Sequence, residues 1–494
     1  MAEPSRRSVV ASSLGCTALV VVLIVGCSGS DDDPTPDPPG PTKLASCEGP
    51  PPGQRVTITL AHAEGDARGG LIEGYVDRFE ATYPDISVEI QPTSEGSGNL
   101  MADWRRSTPA ERPDVTLLPQ EDSGRLIGTG QTVAPGGCIR QVARDMLPVI
   151  NAAWSWDGVL QAVPFAVSTP VLYYNRKLFT AARLDPDDPP STLGELQMDA
   201  FKMVSAGVAD YGLVFDTGPE SGGGSMVDQI TAETGAVSLT PDNGRRRPAA
   251  SVAWRTGPAA EYVEWLAKMT DEHLALSIGR NKDGTEDLLR AADPNSPIAM
   301  AFHTCGALGD VIDALPAIGG PDVDLGIAPL PTLGSGLEPG QGSLPGGSAL
   351  WLASGKSEAE TAAAWKLASF LASPEIQAEW TAATGYVPIS PASARLEPLA
   401  TRWREHREMR VAYDVLADQK EATPVELGPL AGPLPEIHEV LAHAVEDVTG
   451  EGIDPSAALA AAAADADRLL AAYNSSKPAP RLSGLTPRRL PSRR

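Results

Sequence analysis

An enzyme active site needs a nucleophile with a base, a pair of acids or a metal cluster. The six histidines of the chain form no His-Glu-x-x-His pattern, and no serine sits in a Gly-x-Ser-x-Gly turn. Gly355-Lys356-Ser357 has the ending of a phosphate-binding loop, but Leu350 stands where its first glycine is required. A helix start is the plainer reading. Glu121 and Asp122 are carboxylates that could act as acid and base, although adjacent acids in a loop are usually just solvated. There is no Cys-x-x-Cys or Cys/His cluster to hold zinc. Catalysis has no positive signal, and neither metal nor cofactor is expected. What remains is Ser168-Thr169-Pro170, two hydroxyls inside Val163–Phe179, a run of β-formers punctuated by Pro164 and Pro170. Proline cannot donate to a sheet ladder, and it keeps the residue before it out of a helix. The segment is expected to be a strand crossing between two lobes, with Ser168 or Thr169 facing the cleft.

At 494 residues the chain exceeds the roughly 250–300 over which one hydrophobic core keeps growing, so two lobes are expected. The formal net charge of −25 disfavours nucleic acid and anionic membrane as partners, since both need basic footprints. Arg6 and Arg7 precede an apolar run from about Leu14 to Gly26, the form of an export signal. The run ends Ile24-Val25-Gly26-Cys27, which resembles a bacterial lipobox: cleavage before Cys27 and lipidation of its thiol would tether the protein. The other reading is an uncleaved anchor, because the apolar stretch from Val9 is nearly long enough to span. Either places the rest outside the cytoplasm. Cys47, Cys138 and Cys305 are then left for one bridge and one odd thiol; the sequence cannot choose the pair, and Cys47–Cys138 is preferred.

The elements around these residues read as alternating strands and helices. Ser28–Pro52 is poor in apolar residues and rich in Asp, Pro and Gly, an extended linker. Arg55–His62 alternates as a strand, Gly69–Tyr83 has a helical apolar face, and Ile86–Ile90 is a second strand. That unit argues for a parallel α/β layer. Further strands are expected at Asp114–Leu118, Tyr211–Phe215, Ile298–Phe302, Gly326–Leu330 and Ala349–Ala353. The glycine-rich Thr217–Ser225 reads as a loop, Ser191 or Thr192 as a helix cap, and Thr384–Ser390 as extended with a glycine hinge. Asp283–Ala291, Ser357–Ala372, Leu434–Val448 and Pro455–Tyr473 read as helices. The tail from Ser475, with five arginines, reads as disordered.

Val163–Leu196 resembles the lobe-crossing segment of the extracellular solute-binding proteins (family 1) of ABC importers, in particular the glycerol-3-phosphate- and sugar-binding branch. Ala299-Met300 with Thr304–Leu308, Pro345–Trp351 and Thr384–Ser390 agree with that family in order and spacing. The resemblance covers roughly Val56 to Tyr473. It implies an α/β fold of the two-lobe periplasmic-binding-protein type (type II), with crossing hinge strands and a ligand cleft between lobes. The implied partition is a signal peptide at 1–26, a disordered linker with lipidated Cys27 at 27–52, lobe 1 at 53–164 and 346–398, lobe 2 at 165–345 and 399–474, and a disordered tail at 475–494.

The implied ligand contacts are Ser168, Gly346 or Gly347 as backbone donor, Tyr386, Thr304 in place of a serine, and Glu121 or its neighbour Gln120 as the acidic-side contact. His438 stands where the glycerol-3-phosphate proteins place a phosphate-binding arginine. Histidine is mostly neutral at pH 7 and offers one donor where arginine offers a charged fork. The expected function is a monomeric, lipid-anchored receptor that hands a sugar, glycerol 3-phosphate or glycerophosphodiester to ABC permease subunits. An exported hydrolase using Glu121 or His438, and a cell-wall adhesin, are the competing classes.

Overall fold

The computed structural model describes residues 42–476 apart from 94–95, 144, 220–222, 281–295, 319–323, 335 and 420–421. The signal segment, Cys27, the expected helix Asp283–Ala291 and the tail from 477 lie outside the described residues. Among the described residues no helix is long and apolar enough to cross a membrane.

The chain runs through strands β1 (Thr42–Lys43), β2 (Val56–His62), β3 (Ile86–Pro92), β4 (Val115–Pro119), β5 (Thr132–Ala134), β6 (Val163–Ser168) and β7 (Pro170–Asn175). It continues with β8 (Tyr211–Phe215), β9 (Ala275–Ser277), β10 (Ile298–Thr304), β11 (Leu325–Pro329) and β12 (Gly346–Ala353). One sheet has the order β1-β5-β12-β4-β2-β3, with β6 also paired to β12; the other has the order β9-β8-β10-β7-β11. Between β2 and β3 lies helix α1 (Asp66–Thr82), the parallel unit expected from the alternation of apolar residues. The fold is the expected α/β architecture of two lobes joined by crossing strands.

There are two apolar cores, and the first takes in the first sheet together with Val171, Tyr173, Ala301 and Ile327 of the second. The first gathers Ile58, Phe79, Leu118, Trp351 and Trp380, and the second Leu213, Met300, Val263, Leu441 and Leu459. Helices α2 (Gly223–Glu233), α3 (Leu434–Glu451) and α4 (Pro455–Ser476) belong to the second. Leu399, Trp403, Met409 and Leu416 pack in the first core, which the second sheet shares. Their apolar faces meet the helix Pro374–Thr384 and strand β11, whereas the second core takes over from Ala431.

The expected linker is ordered at its end. Thr42–Lys43 adds a parallel edge strand to β5, and Cys47 is bridged to Cys138. The Trp365 indole N–H donates to the Cys47 carbonyl at 3.1 Å. Composition alone hides this, because a disulfide and one edge pairing order a polar segment that has no core of its own. The phosphate-loop ending at Gly355-Lys356-Ser357 is a helix start: Ser357 and Glu360 form a reciprocal capping box. Thr192 likewise caps Leu193–Ser205 by accepting from Glu195 N–H.

Gly347 is fixed by backbone geometry. The β6–β12 register slips between Ser348 and Ala349. Gly347 has φ +85°, and an added Cβ would fall 2.0 Å from the Ala166 carbonyl oxygen. Gly347→Ala should therefore lower the melting temperature, by the left-handed penalty of about 1–2 kcal/mol plus the cost of that clash; an unchanged melting temperature would contradict the bulge.

The bridge spans 91 residues in sequence. Loop-closure entropy alone gives roughly 4–5 kcal/mol for such a loop, so reductant should lower the melting temperature by many degrees. Burial pushes the Cys305 thiol up to about 12, leaving it protonated and inert at neutral pH. Native alkylation followed by peptide mapping should find Cys305 unmodified.

Candidate functional site

The chain passes from the first sheet to the second at Thr169, between β6 and β7. After Thr304, the last residue of β10, it returns to the second sheet as β11, and it re-enters the first at Gly346, the first residue of β12. These crossings meet. Ser168 lies in register with Gly346, Thr304 with Pro170, and the Cys305 N–H donates to the Thr169 carbonyl at 3.0 Å.

A cleft open to solvent lies at this junction. From the side of the first sheet it is lined by Gln120 and Glu121, in the turn that follows β4, and by Ser168, Gly346 and Gly347. From the second it is lined by Pro170, Thr304, α2 through Ser225, Asp228 and Gln229, and α3 through Leu434 and His438. Six of the residues singled out from sequence (Glu121, Ser168, Thr304, Gly346, Gly347 and His438) are thus brought to one chamber.

Tyr386 is not among the chamber's lining residues. Its ring stacks on Trp380, with centroids 5.6 Å apart, and lies against Gly306, where an added Cβ would come within 2.7 Å. Gly385, at φ +88°, ends the helix Pro374–Thr384 and turns the chain so that the ring follows this direction. The Arg68 guanidinium lies 6.0 Å from the ring centroid and pairs with Glu64 at 2.9 Å. Burial raises the Tyr386 phenol well above its ordinary range. The expected extended segment therefore begins as a helix end, and Val387 then bridges to Val167.

The hydroxyl of Thr304 accepts from Gly306 N–H at 3.0 Å, and the Tyr173 hydroxyl donates to the Thr304 carbonyl at 2.8 Å. Both bonds hold the end of β10 rigidly at the chamber wall. Of the two glycines, Gly347 is accounted for by the bulge. An added Cβ at Gly346 would meet only the Ser168 carbonyl, at an ordinary 3.8 Å.

His438 is held by a partner the sequence reading did not assign. Its Nε2 lies 2.7 Å from Asp228 Oδ2, with both side chains about 4% exposed. The pair exists because Gly223 and Gly224 let α2 lie directly on α3. An added Cβ on Gly224 would be 2.7 Å from His438 Cβ, and one on Gly223 would be 2.9 Å from Ala442 Cα. The stretch Thr217–Ser225, expected as a loop, thus ends in the first turn of a helix. Beneath it, Gln229 accepts from Leu344 N–H at 2.8 Å and donates to Glu233 Oε1 at 3.0 Å. Burial pushes the Glu233 carboxyl well above the usual carboxylate range. Asp228 and Gln229 were missed because two glycines read as breakers; Met226, Val227 and Ile230 behind them carry the helical spacing that could have exposed them.

Gln120 is 8% exposed, and among the described residues its Nε2 has no hydrogen-bond partner. A buried donor at a cleft wall is costly unless a ligand or water satisfies it. Just outside the chamber, Arg125 joins the two sides. It donates to the Gly432 carbonyl at 2.9 Å, pairs with Glu436 on α3, and lies 3.5 Å from Asp122. The Tyr473 hydroxyl adds a bond to the Gly124 carbonyl at 3.1 Å.

Among the described residues no group of three or more His, Cys, Asp or Glu is placed to hold a metal. The arrangement can hold a small hydroxylated molecule between two bodies through hydroxyls, amides, carboxylates and backbone.

Residues 74–407 match the family described as bacterial extracellular solute-binding protein. The chain is 25% identical over 436 residues to the sn-glycerol-3-phosphate-binding periplasmic protein UgpB of Escherichia coli (strain K12), covering 85% of this chain and 94% of that one. Among solved structures it is similar to UgpB from Mycobacterium tuberculosis in complex with glycerophosphocholine, at TM-score 0.68 and 18% identity, over 84% of this chain and 98% of that one. It is also similar to a solute-binding protein from Agrobacterium radiobacter K84 in complex with ribitol, at TM-score 0.67 and 21% identity, over 85% of this chain and 100% of that one. With two sheets, a chain that crosses between them at Ser168-Thr169-Pro170, and a profile match over most of the ordered residues, the chain belongs to the bacterial extracellular solute-binding protein family.

Proposed function

We propose that this protein is the exported substrate-binding subunit of an ABC importer, tethered through lipidated Cys27, and that it delivers a carbohydrate or glycerol-phosphate-type solute to the permease unaltered. The observation that carries this reading is a chamber lined from both sheets at the point where the chain crosses between them. A solute seated there touches both lobes only when they are together, so binding shifts an open–closed equilibrium towards the closed form. The Arg125 contacts to Gly432 and Glu436 would reinforce that form from the rim. The basic start, apolar run and Ile24-Val25-Gly26-Cys27 ending support export and lipid tethering. Binding without catalysis fits the relatives, which are named as binding proteins.

The test is thermal denaturation with a panel of sugars, polyols and glycerophosphodiesters, followed by recovery of the solute. A cognate solute at one hundred times its Kd adds about 2.7 kcal/mol, so an upshift of several degrees with the solute intact is expected. Release of a hydrolysis product would contradict the reading. Ser168→Ala should weaken the best ligand about twofold to tenfold by calorimetry, the worth of one neutral hydrogen bond. Arg125→Ala should weaken it about threefold to tenfold, because the contacts that join the two sides at the rim are lost. Unchanged affinity would remove Arg125 from that role.

A further inference from the structure

Residue types limit what the chamber can recognise. The nine tryptophans, nine tyrosines and seven phenylalanines of the chain all lie in described segments, and none lines the chamber. Trp154, Trp254, Trp351, Trp365 and Trp380 are instead buried in the cores. An aromatic wall is what gives a pyranose ring a flat apolar face to lie on. This chamber has no such wall.

Its charge is also one-sided. Among the described residues no lysine or arginine lines it, whereas Glu121 and Asp228 do. Arg125 at the rim is engaged by Glu436, Asp122 and the Gly432 carbonyl. His438 stands at the position that would answer a phosphate, but its Nε2 faces Asp228 Oδ2 at 2.7 Å. A phosphate monoester entering here would meet two carboxylates and one histidine already paired to one of them. Hydroxyl groups meet the opposite situation: carboxylate oxygens accept from them, while the Gln120 amide, lacking a partner among the described residues, can donate.

We propose that the solute is an uncharged acyclic polyol, and that Asp228 sets this choice by occupying His438 Nε2 and placing a second carboxylate in the chamber. The proposal rests on the solute-receptor reading above and narrows its ligand. A chain of hydroxylated carbons has no ring to stack and can bend to present successive hydroxyls to Glu121 on one side and Asp228 on the other. The His438–Asp228 bond is itself a product of the Gly223-Gly224 pair, which brings α2 and α3 close enough to form it.

Isothermal titration of the full chain with ribitol, sorbitol, maltose, glycerol 3-phosphate and glycerophosphocholine tests this. The best polyol should bind at least about tenfold more tightly than any of the other three. Asp228→Asn should narrow the preference for polyol over glycerol 3-phosphate by about tenfold or more, through both loss of an acceptor and release of His438. Should that variant fail to fold, Glu121→Gln is expected to move the same ratio in the same direction, since it removes the other carboxylate. Tighter binding of maltose, glycerol 3-phosphate or glycerophosphocholine by the wild-type protein overturns the polyol proposal and leaves the receptor reading intact. If folded protein binds none of the panel, both fail. A ratio that stays within about twofold in the folded variants removes Asp228 from the role assigned to it.

Discussion

Everything functional in this molecule depends on the backbone at Ser168-Thr169-Pro170. The Thr169 carbonyl accepts from Cys305 N–H at 3.0 Å, so the first crossing between sheets is bonded to the turn that ends β10. Ser168 pairs in register with Gly346, which ties it to the return crossing. Two crossings and the end of β10 thus share one junction, and the walls of the chamber are the ends of the strands that make it. Pro170 suits the position because it begins a strand in the new sheet without owing it an N–H. A ligand seated at this junction would contact residues whose backbones are bonded to one another, with one sheet on either side. That is the geometry a closing receptor requires.

Much of this was legible in the sequence, for reasons that differ from residue to residue. The two prolines and the β-formers of Val163–Phe179 marked a strand that changes sheet, because proline's missing donor is a local property. Ser168, Thr304, Gly346 and His438 fall in short motifs whose order along the chain resembles the family, and the fold brings them to one chamber. Gly347 carried a second meaning that only the register slip reveals. Tyr386 fell in a family motif too, yet its ring packs against Gly306 and Trp380 rather than on the chamber. Motif position does not fix side-chain direction after a left-handed glycine.

What the sequence hid were tertiary effects. Gly223 and Gly224 have poor helix propensity and were expected in a loop, but they form a helix because their missing Cβ atoms let it rest on Ala442 and His438. Asp228 became visible only through that contact. Residues 42–52 lack the apolar content of a folded segment, and order there comes from a covalent bond and an edge pairing to distant residues. The same logic governs electrostatics. His438 is one residue in the sequence, but its consequence depends on Asp228, the carboxylate that meets it.

The central claim is that a solute is held at the strand junction by groups from both lobes at once. A crystal structure of protein purified without refolding, or soaked with the best-binding polyol, tests it most directly. Density for the solute is expected to touch Ser168 and Glu121 on one side and Asp228 or His438 on the other. Solute density confined to one lobe, or lying away from Ser168, would contradict it.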